Sequence, residues 1–204
     1  MKKTNGPAPV FAVDQADEAV AARVNELLAS QGRALLAIDG NCCAGKTTTA
    51  ARLGALLDAN VFHLDDYFLT PELRTPQRLA QPGGNVDAER FLSDVLLPAS
   101  RGETAFVNRY DCHEDRLLGP VPVPPKRVVI VEGAYSLHPL LFPCYDLKIF
   151  CRIDPALQIE RIRRRNGEEQ LSVFLRRWIP LENAYFQALD VESACDIRIE
   201  STQR

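Results

Sequence analysis

The sequence lacks the long apolar runs that would place the chain in a membrane. No stretch among its 204 residues approaches the roughly 18 apolar residues that a membrane span requires. The lysines at positions 2 and 3 are not followed by the apolar segment of a signal peptide. We therefore expect a cytoplasmic protein with no membrane partner.

Paired cysteines and a strong net charge are also missing. None of the six cysteines has the C-x-x-C spacing, which argues against a zinc or thioredoxin-like site, and free thiols fit a reducing compartment. A net charge of −3 gives no reason to expect a nucleic-acid partner. The length fits one α/β domain over residues 1–204, with residues 1–12 as a flexible arm. A homo-oligomer is left open.

What the sequence does contain is a phosphate-binding motif at residues 40–47. These residues read Gly-Asn-Cys-Cys-Ala-Gly-Lys-Thr and match the pattern G-x-x-x-x-G-K-[ST]. A short, apolar, strand-like segment precedes the motif at residues 34–39, and a helical segment follows it at residues 48–57. A strand, a glycine loop and a helix in this order distinguish a phosphate site from an ordinary glycine-rich turn.

The chemistry of such a loop comes mainly from its backbone. Successive main-chain N–H groups form an anion site, and the following helix N-terminus adds partial positive charge. Lys46 can reach the β- and γ-phosphates of ATP, and the Thr47 hydroxyl suits Mg²⁺, which prefers oxygen ligands. The predicted nucleotide-binding residues are Gly40, Asn41, Cys42, Cys43, Ala44, Gly45, Lys46, Thr47 and Thr48.

The adjacent thiols of Cys42 and Cys43 have two interpretations. Small side chains are tolerated in a phosphate loop, so the pair can be without function. Alternatively, Lys46 and the helix N-terminus lower a thiol pKa, which would make the loop sensitive to oxidation.

Acidic residues follow two of the predicted strands. Asp65 and Asp66 come directly after the strand of residues 60–64, and Glu132 ends the β-branched strand of residues 127–131. Ligands of open α/β sheets bind just outside the carboxyl ends of the strands, so these acids are candidates for the site. The alternative for Asp65 and Asp66 is a solvated turn, and for Glu132 it is a strand-terminal acid with no ligand. An acid at the position of Glu132 resembles the second carboxylate of phosphate-loop proteins, which orders Mg²⁺ and its waters.

Strand-like and helical segments alternate along most of the chain. Further strands are predicted at residues 147–151 and 194–199, so the alternation predicts a three-layer α/β fold of the P-loop NTPase type, with a parallel five-stranded sheet and helices on both faces. Four arginines fall within residues 161–165, near a predicted helix end. They form either a solvated helix face or an arginine-rich lid over about residues 161–170 that neutralises charge on a transferring phosphate.

The middle of the chain carries only weak signals for an acceptor site. Asp87 follows a Gly-Gly turn and precedes a predicted helix, which fits a helix N-cap and a ligand equally well. His113 lies in the polar, aperiodic segment 109–116, where a solvated loop residue is the alternative to a catalyst. A proline-rich connector follows at residues 120–125.

Together these motifs resemble the uridine kinase-like branch of P-loop kinases, which includes nicotinamide riboside kinases, pantothenate kinases and phosphoribulokinases. The resemblance covers the chain from about residue 34 onward. Residues 65–68, Asp-Asp-Tyr-Phe, are similar to the family's segment after a strand, which implies Asp65 as the catalytic base. The family's Glu-Gly resembles residues 132–133, which implies Glu132 as a Mg²⁺-linked carboxylate. The implied catalytic residues are Asp65, Lys46, Arg161 and Arg165.

The resemblance extends to an acceptor site. An Asn-x-Asp segment of the nucleoside kinases, whose Asp holds ribose hydroxyls, is similar to residues 85–87. A Tyr-Asp segment followed by a His and an Arg resembles residues 110–116, with shorter spacing here. The implied substrate-binding residues are Asp65, Tyr67, Asp87, Tyr110, His113 and Arg116.

The resemblance implies an ATP-dependent kinase that phosphorylates a hydroxyl of a small molecule, with a nucleoside as the first expectation. Nicotinamide riboside, pantothenate or another metabolite is the alternative acceptor. A GTPase switch would carry Asn-Lys-x-Asp and a transporter ATPase Leu-Ser-Gly-Gly-Gln, and the sequence has neither. Acids after two strands argue against a module that only binds nucleotide.

Overall fold

The computed structural model describes residues 7–13 and 15–201. Its strands are β1 (Val10–Ala12), β2 (Ala34–Gly40), β3 (Asn60–His63), β4 (Ala105–Asp111), β5 (Arg116–Val123), β6 (Val128–Glu132), β7 (Leu147–Ile153) and β8 (Ile197–Ser201). Its α-helices are α1 (Ala16–Gln31), α2 (Lys46–Leu56), α3 (Pro76–Leu79), α4 (Ala88–Phe91), α5 (Leu97–Arg101), α6 (Pro155–Val173) and α7 (Ile179–Leu189). The 3₁₀ turns are Leu64–Tyr67, Pro71–Leu73 and Phe142–Cys144, and the π-helical turns are Leu92–Leu96 and Phe174–Trp178.

The main sheet is parallel and has the strand order β1–β8–β7–β2–β6–β3. Every residue of β2 and β6 is buried, as expected for apolar strands covered on both faces. Because successive side chains of a strand point to opposite faces, Leu36 and Ile38 pack with α1 and α2, whereas Leu35 and Ala37 pack with α4, α5 and α7. The predicted three-layer α/β fold is confirmed.

The sheet has six strands and not the five that the sequence predicted. The additional strand, β1, pairs in parallel with β8 and lies inside the segment 1–12 expected to be a flexible arm. Three residues are too few to show the alternation that marks a strand, and the pairing depends on backbone hydrogen bonds, such as that from the Arg198 N–H to the Pro9 carbonyl (2.9 Å). Residues 1–6 of the expected arm lie outside the described residues.

A separate antiparallel pair, β4 and β5, stands apart from the main sheet. It includes much of the polar segment 109–116 and of the connector 120–125, both of which were expected to be irregular. Two prolines are tolerated in β5 because this strand pairs with β4 alone and leaves its other edge free of ladder hydrogen bonds.

A long helical arm (residues 155–189) comprises α6, the second π-helical turn and α7. It contains the predicted lid region 161–170 and breaks at Gly167 (φ 81°, ψ 171°), close to where a helix end was expected. Both π-helical turns are followed two residues later by a proline, Pro98 or Pro180. Since proline has no N–H to donate to the carbonyl four residues earlier, the helix widens there and continues. Closure of the arm as a lid stays a prediction.

Candidate active site

The loop of residues 40–47 joins β2 to α2 with a backbone that permits close approach. Gly40 has no room for a side chain, because a Cβ would lie 2.0 Å from the carbonyl oxygen of Cys151. Gly45 (φ 94°) adopts the left-handed conformation directly before α2, and nothing lies within 4 Å of where its Cβ would point. The first N–H groups of a helix have no partner within the helix, so the amides of Lys46 and Thr47 are available to an anion.

The Lys46 ammonium group is held against the start of this loop. Its Nζ donates to the carbonyl oxygens of Gly40 (2.8 Å) and Asn41 (3.0 Å). Burial lowers the pKa of Lys46, but the carboxylates of Glu182 and Asp65 raise it, and the pKa as a whole is raised. The lysine therefore keeps its positive charge where phosphates are predicted to bind.

Thr47 and Glu132 form a group of oxygen donors beside Lys46. The Thr47 hydroxyl oxygen lies 3.2 Å from both carboxylate oxygens of Glu132, which is buried. Nδ1 of His63 lies 2.5 Å from one of these oxygens, and this hydrogen bond raises the pKa of His63. A hydroxyl and a carboxylate in contact are hard oxygen ligands, so the residues present fit Mg²⁺. The sequence did not identify His63 as the residue that orients Glu132.

Asp65 follows β3 in the 3₁₀ turn Leu64–Tyr67 and faces the same cavity. Its side chain is open to the water of the cavity, although protein atoms surround it on most sides. These surroundings have the largest effect on the pKa of Asp65 and raise it. The charge of Lys46 lowers the pKa and that of Glu132 raises it, and the resulting pKa is above the usual value for aspartate. A carboxylate with a raised pKa is a better proton acceptor, which suits a general base.

The phosphate loop, Lys46, Asp65 and Glu132 all line one cavity of about 2090 Å³. Because a single small-molecule site commonly occupies about 300–1,000 Å³, this cavity has room for a nucleotide and an acceptor together. The helical arm forms much of the remaining wall. Among the described residues, its cavity-lining arginines form no ion pair with a carboxylate; they are Arg161, Arg164, Arg165, Arg176 and Arg177.

Tyr67 and Asp87, two of the predicted acceptor residues, make contacts that stabilise the fold instead of facing the cavity. The Tyr67 ring packs edge-on against Phe91, with a centroid distance of 4.9 Å, and its hydroxyl accepts the Asn108 N–H (3.1 Å). One oxygen of Asp87 caps α4 by accepting a hydrogen bond from the backbone N–H of Arg90 (3.1 Å). The other oxygen accepts a hydrogen bond from Nε of the same arginine (3.0 Å). Neither side chain lines the cavity.

The other predicted acceptor residues lie on the β4–β5 pair. Tyr110 is buried as a residue, and its hydroxyl accepts a hydrogen bond from Arg74 (2.7 Å). His113 is exposed in the turn between the two strands, and Arg116 is exposed at the start of β5, where it pairs with Glu114. None of the three lines the cavity, so the structure does not bring them together with Asp65.

Asp39, which directly precedes the loop, was not identified from the sequence. It is fully buried and accepts four hydrogen bonds: from the backbone N–H groups of Gly40 (2.7 Å), Tyr135 (3.2 Å) and Leu137 (2.9 Å), and from the Tyr185 hydroxyl (2.8 Å). Burial raises the pKa of this carboxyl group, and its hydrogen bonds oppose that change. Asp39 thus ties the first residue of the loop to α7 and to the segment after β6.

The two thiols of the loop do not have the lowered pKa that would make them reactive. Burial raises the pKa of Cys42 to about 12 and also raises that of Cys43. For Cys42 the neighbouring Glu182 carboxylate adds to the effect, whereas Lys46 opposes it. The surroundings therefore favour the interpretation in which these side chains are simply tolerated.

No family model matches the chain. Its fold is similar to a possible uridine kinase from Bacillus stearothermophilus (19% identity, TM-score 0.66, 91% of this chain and 99% of that one). It is also similar to a candidate fructose transport system kinase from Silicibacter sp. TM1040 (22%, 0.70, 92% and 98%). A third similar structure is YFH7 from Saccharomyces cerevisiae, described as a candidate P-loop kinase with a circular permutation (12%, 0.65, 92% and 99%).

These similarities establish that the chain has the fold of P-loop kinases, and they extend over nearly its whole length. Within the described residues, every helix is either too short or too polar to cross a bilayer.

Proposed function

We propose that this protein is an ATP-dependent kinase that transfers the γ-phosphate to a hydroxyl of a small metabolite. The observation that carries the proposal is that Lys46, Asp65 and the Thr47–Glu132 pair open into one cavity with the phosphate loop. A module that only holds nucleotide needs the loop, but it has no need of a carboxylate base facing the same space. The kinase-like fold supports the same conclusion.

In this reaction Asp65 orients the acceptor hydroxyl and takes its proton as the hydroxyl oxygen attacks the γ-phosphorus. The bond from that phosphorus to the oxygen shared with the β-phosphate breaks, and ADP leaves with the electron pair. Lys46 and the arginines of the helical arm, including Arg161 and Arg165, place positive charge beside the transferring group. The raised pKa of Asp65 strengthens it as a base.

Thr47 and Glu132 are the residues that would hold Mg²⁺, with His63 keeping the Glu132 carboxylate in place. The ion, when bound, neutralises phosphate charge and orders the nucleotide. Closure of the helical arm, which stays a prediction, would limit the access of water and so favour transfer over hydrolysis of ATP.

A nucleoside is the first acceptor to test, because the resemblance implies one and a structure of similar fold is described as a possible uridine kinase. The support is limited to these two points, since Asp87, Tyr110, His113 and Arg116 lie outside the cavity. Nicotinamide riboside, pantothenate and other hydroxyl-bearing metabolites therefore belong in the same experiment.

The test is an ATP-consumption assay with a panel of nucleosides, nicotinamide riboside and pantothenate, with mass detection of a product heavier by one phosphoryl group. We expect rapid ATP consumption only with an acceptor, and consumption slower by about a hundredfold or more in the Asp65→Asn variant. Slow ATP hydrolysis that no acceptor accelerates would instead indicate a regulatory NTPase.

A further inference from the structure

The crest of the phosphate loop (Cys42 and Cys43) is held by three side chains from the helical arm. Oε2 of Glu182 accepts the Cys42 N–H (2.9 Å), and Nε2 of Gln158 donates to the Cys42 carbonyl (3.0 Å). Arg161 donates to the Cys43 carbonyl (3.1 Å). The backbone groups of the crest are therefore already bonded to side chains more than a hundred residues away in the sequence.

Glu182 is unusual among these three because it is an anion at an anion-binding loop. Its carboxylate accepts a loop amide, is almost completely buried and lines the cavity. Burial raises the pKa of Glu182, and the positive charge of Lys46 is the largest opposing influence. The carboxylate thus occupies a backbone N–H that a loop of this kind offers to a phosphate.

The helix that carries Glu182 is anchored at a second point, next to the start of the loop. One turn further along α7, the Tyr185 hydroxyl donates to Asp39 (2.8 Å), and its ring packs against Tyr135 with a centroid distance of 4.9 Å. One turn before Glu182 lies the π-helical turn Phe174–Trp178, which brings Arg176 and Arg177 to the same cavity. Glu182 therefore lies between a fixed segment of α7 and a turn of irregular geometry.

We propose that Glu182 occupies the phosphate loop before nucleotide binds, and that the triphosphate of ATP displaces it. This inference rests on the proposed function, since it requires that the loop binds ATP. A carboxylate and a triphosphate cannot both lie against the Cys42 amide, because their negative charges repel each other at that distance. Displacement releases the Cys42 amide and the start of α7, so nucleotide binding shifts the wall that carries Arg176 and Arg177. Glu182 is a positioning residue in this scheme.

The test compares ATP affinity, measured by isothermal titration calorimetry, in the wild-type protein and in Glu182→Gln. The glutamine keeps an oxygen that can accept the Cys42 N–H but lacks the competing charge. We expect the Kd for ATP to fall about tenfold, because one negative charge is removed from beside the triphosphate. The affinity for adenosine, which has no phosphate, should not change.

The matched control is Glu160→Gln, which removes an exposed carboxylate from the same cavity without touching the loop. It should change the Kd for ATP less than threefold, because a solvated charge is largely screened. If Glu182→Gln behaves like this control, or binds ATP more weakly than wild type, the inference is wrong.

A second variant covers the case in which Glu182→Gln does not fold. Glu182→Asp keeps the charge, but its side chain is one methylene shorter, so the carboxylate lies further from the Cys42 amide. We expect its Kd for ATP to lie below that of wild type and, where both variants fold, above that of Glu182→Gln. An affinity for ATP that is weaker than wild type would overturn the inference. If the wild-type protein binds no ATP, the proposed function fails as well, and this result differs from one in which wild type binds but neither variant binds more tightly.

Discussion

The two halves of the cavity differ in how many of their lining residues could be predicted from the sequence. In the phosphate half (residues 40–48 with Asp65 and Glu132), every residue predicted to contact nucleotide, metal or the transferring phosphate either lines the cavity or lies in the loop beside it. In the half where we propose that the acceptor binds (the acceptor half: residues 79–83 and 85 with Phe68, Arg74, Cys112 and Tyr135), none of the lining residues was predicted to bind the acceptor. Apart from Asp65, which faces the cavity from the phosphate half, the predicted ones cap a helix, pack in the core or lie on β4–β5.

The difference reflects what each half uses to recognise its ligand. Phosphates are bound by consecutive backbone N–H groups, so one short stretch with glycines at fixed positions is sufficient. An acceptor is recognised by side chains that several loops bring together, and no spacing within a single stretch encodes that arrangement. Tyr135 illustrates this: it lines the cavity in a left-handed backbone conformation (φ 71°), rare for an aromatic residue, that nothing in its neighbouring residues indicates.

The largest effect that would sharpen this contrast is expected from Lys46→Ala in the phosphate half. Turnover should fall by about a thousandfold or more, because the lysine supplies positive charge at the transferring phosphate. Lys126→Ala, which removes an exposed lysine paired with Asp58, is the control and should retain full turnover. Both are measured with the acceptor found in the screen, and comparable turnover in the two variants would contradict the role of Lys46.

Asp65→Asn should lower kcat by about a hundredfold or more while ATP still binds, because the variant lacks the base that takes the acceptor's proton. Asp66→Asn is a matched control, since Asp66 is the adjacent acid and pairs with Arg109 (3.2 Å). Steady-state kinetics and calorimetry separate turnover from binding. Equal losses of kcat in the two variants would remove the distinction between these acids.

The pH dependence of kcat provides a second test of Asp65. The base must be ionised to act, so activity is full above the pKa of Asp65 and is lost as the pH falls through it. Because the protein atoms around Asp65 raise that pKa above the ordinary 3.8, the acid limb of the profile should lie above 3.8. Circular dichroism over the same range shows whether the protein stays folded. A limb at or below 3.8 in folded protein would argue for a different base.

In the acceptor half, Asp87→Ala should change stability and leave the KM for the acceptor as it is. Loss of the α4 cap and of the contact with Arg90 should lower the free energy of unfolding by about 1–2 kcal/mol, measured by urea denaturation. A tenfold rise in KM with unchanged stability would show that Asp87 contacts the acceptor, and the contrast between the two halves would then disappear.

The smallest effect is expected from Arg116→Ala on the β4–β5 pair. This arginine is exposed and, within residues 7–13 and 15–201, pairs only with the exposed Glu114; surface pairs of this kind contribute about 0–1 kcal/mol. Unfolding and acceptor KM should both stay close to wild type. A large rise in KM would mean that Arg116 contacts the acceptor when the acceptor binds.

The elements that could be predicted from the sequence are those that residues close together in the chain determine. The buried strands β2 and β6 follow from continuous apolar, β-branched residues, and the loop between β2 and α2 follows from its glycines and lysine. The contacts that could not be predicted from the sequence join residues that are far apart in the chain. Glu182 meets the loop across 140 residues, and Tyr185 meets Asp39 across 146. The same holds for β1, which is a strand only because β8 lies beside it.

The short strand β1 also protects the protein against association with other copies of itself. It covers one side of β8, whose backbone N–H and C=O groups would otherwise form an open row at the border of a parallel sheet. Uncovered rows of this type recruit strands from other molecules. A chain shortened to begin after Ala12 would therefore keep its catalytic groups and become prone to aggregation, so three residues at the edge of the main sheet help to determine how concentrated this protein can be in solution.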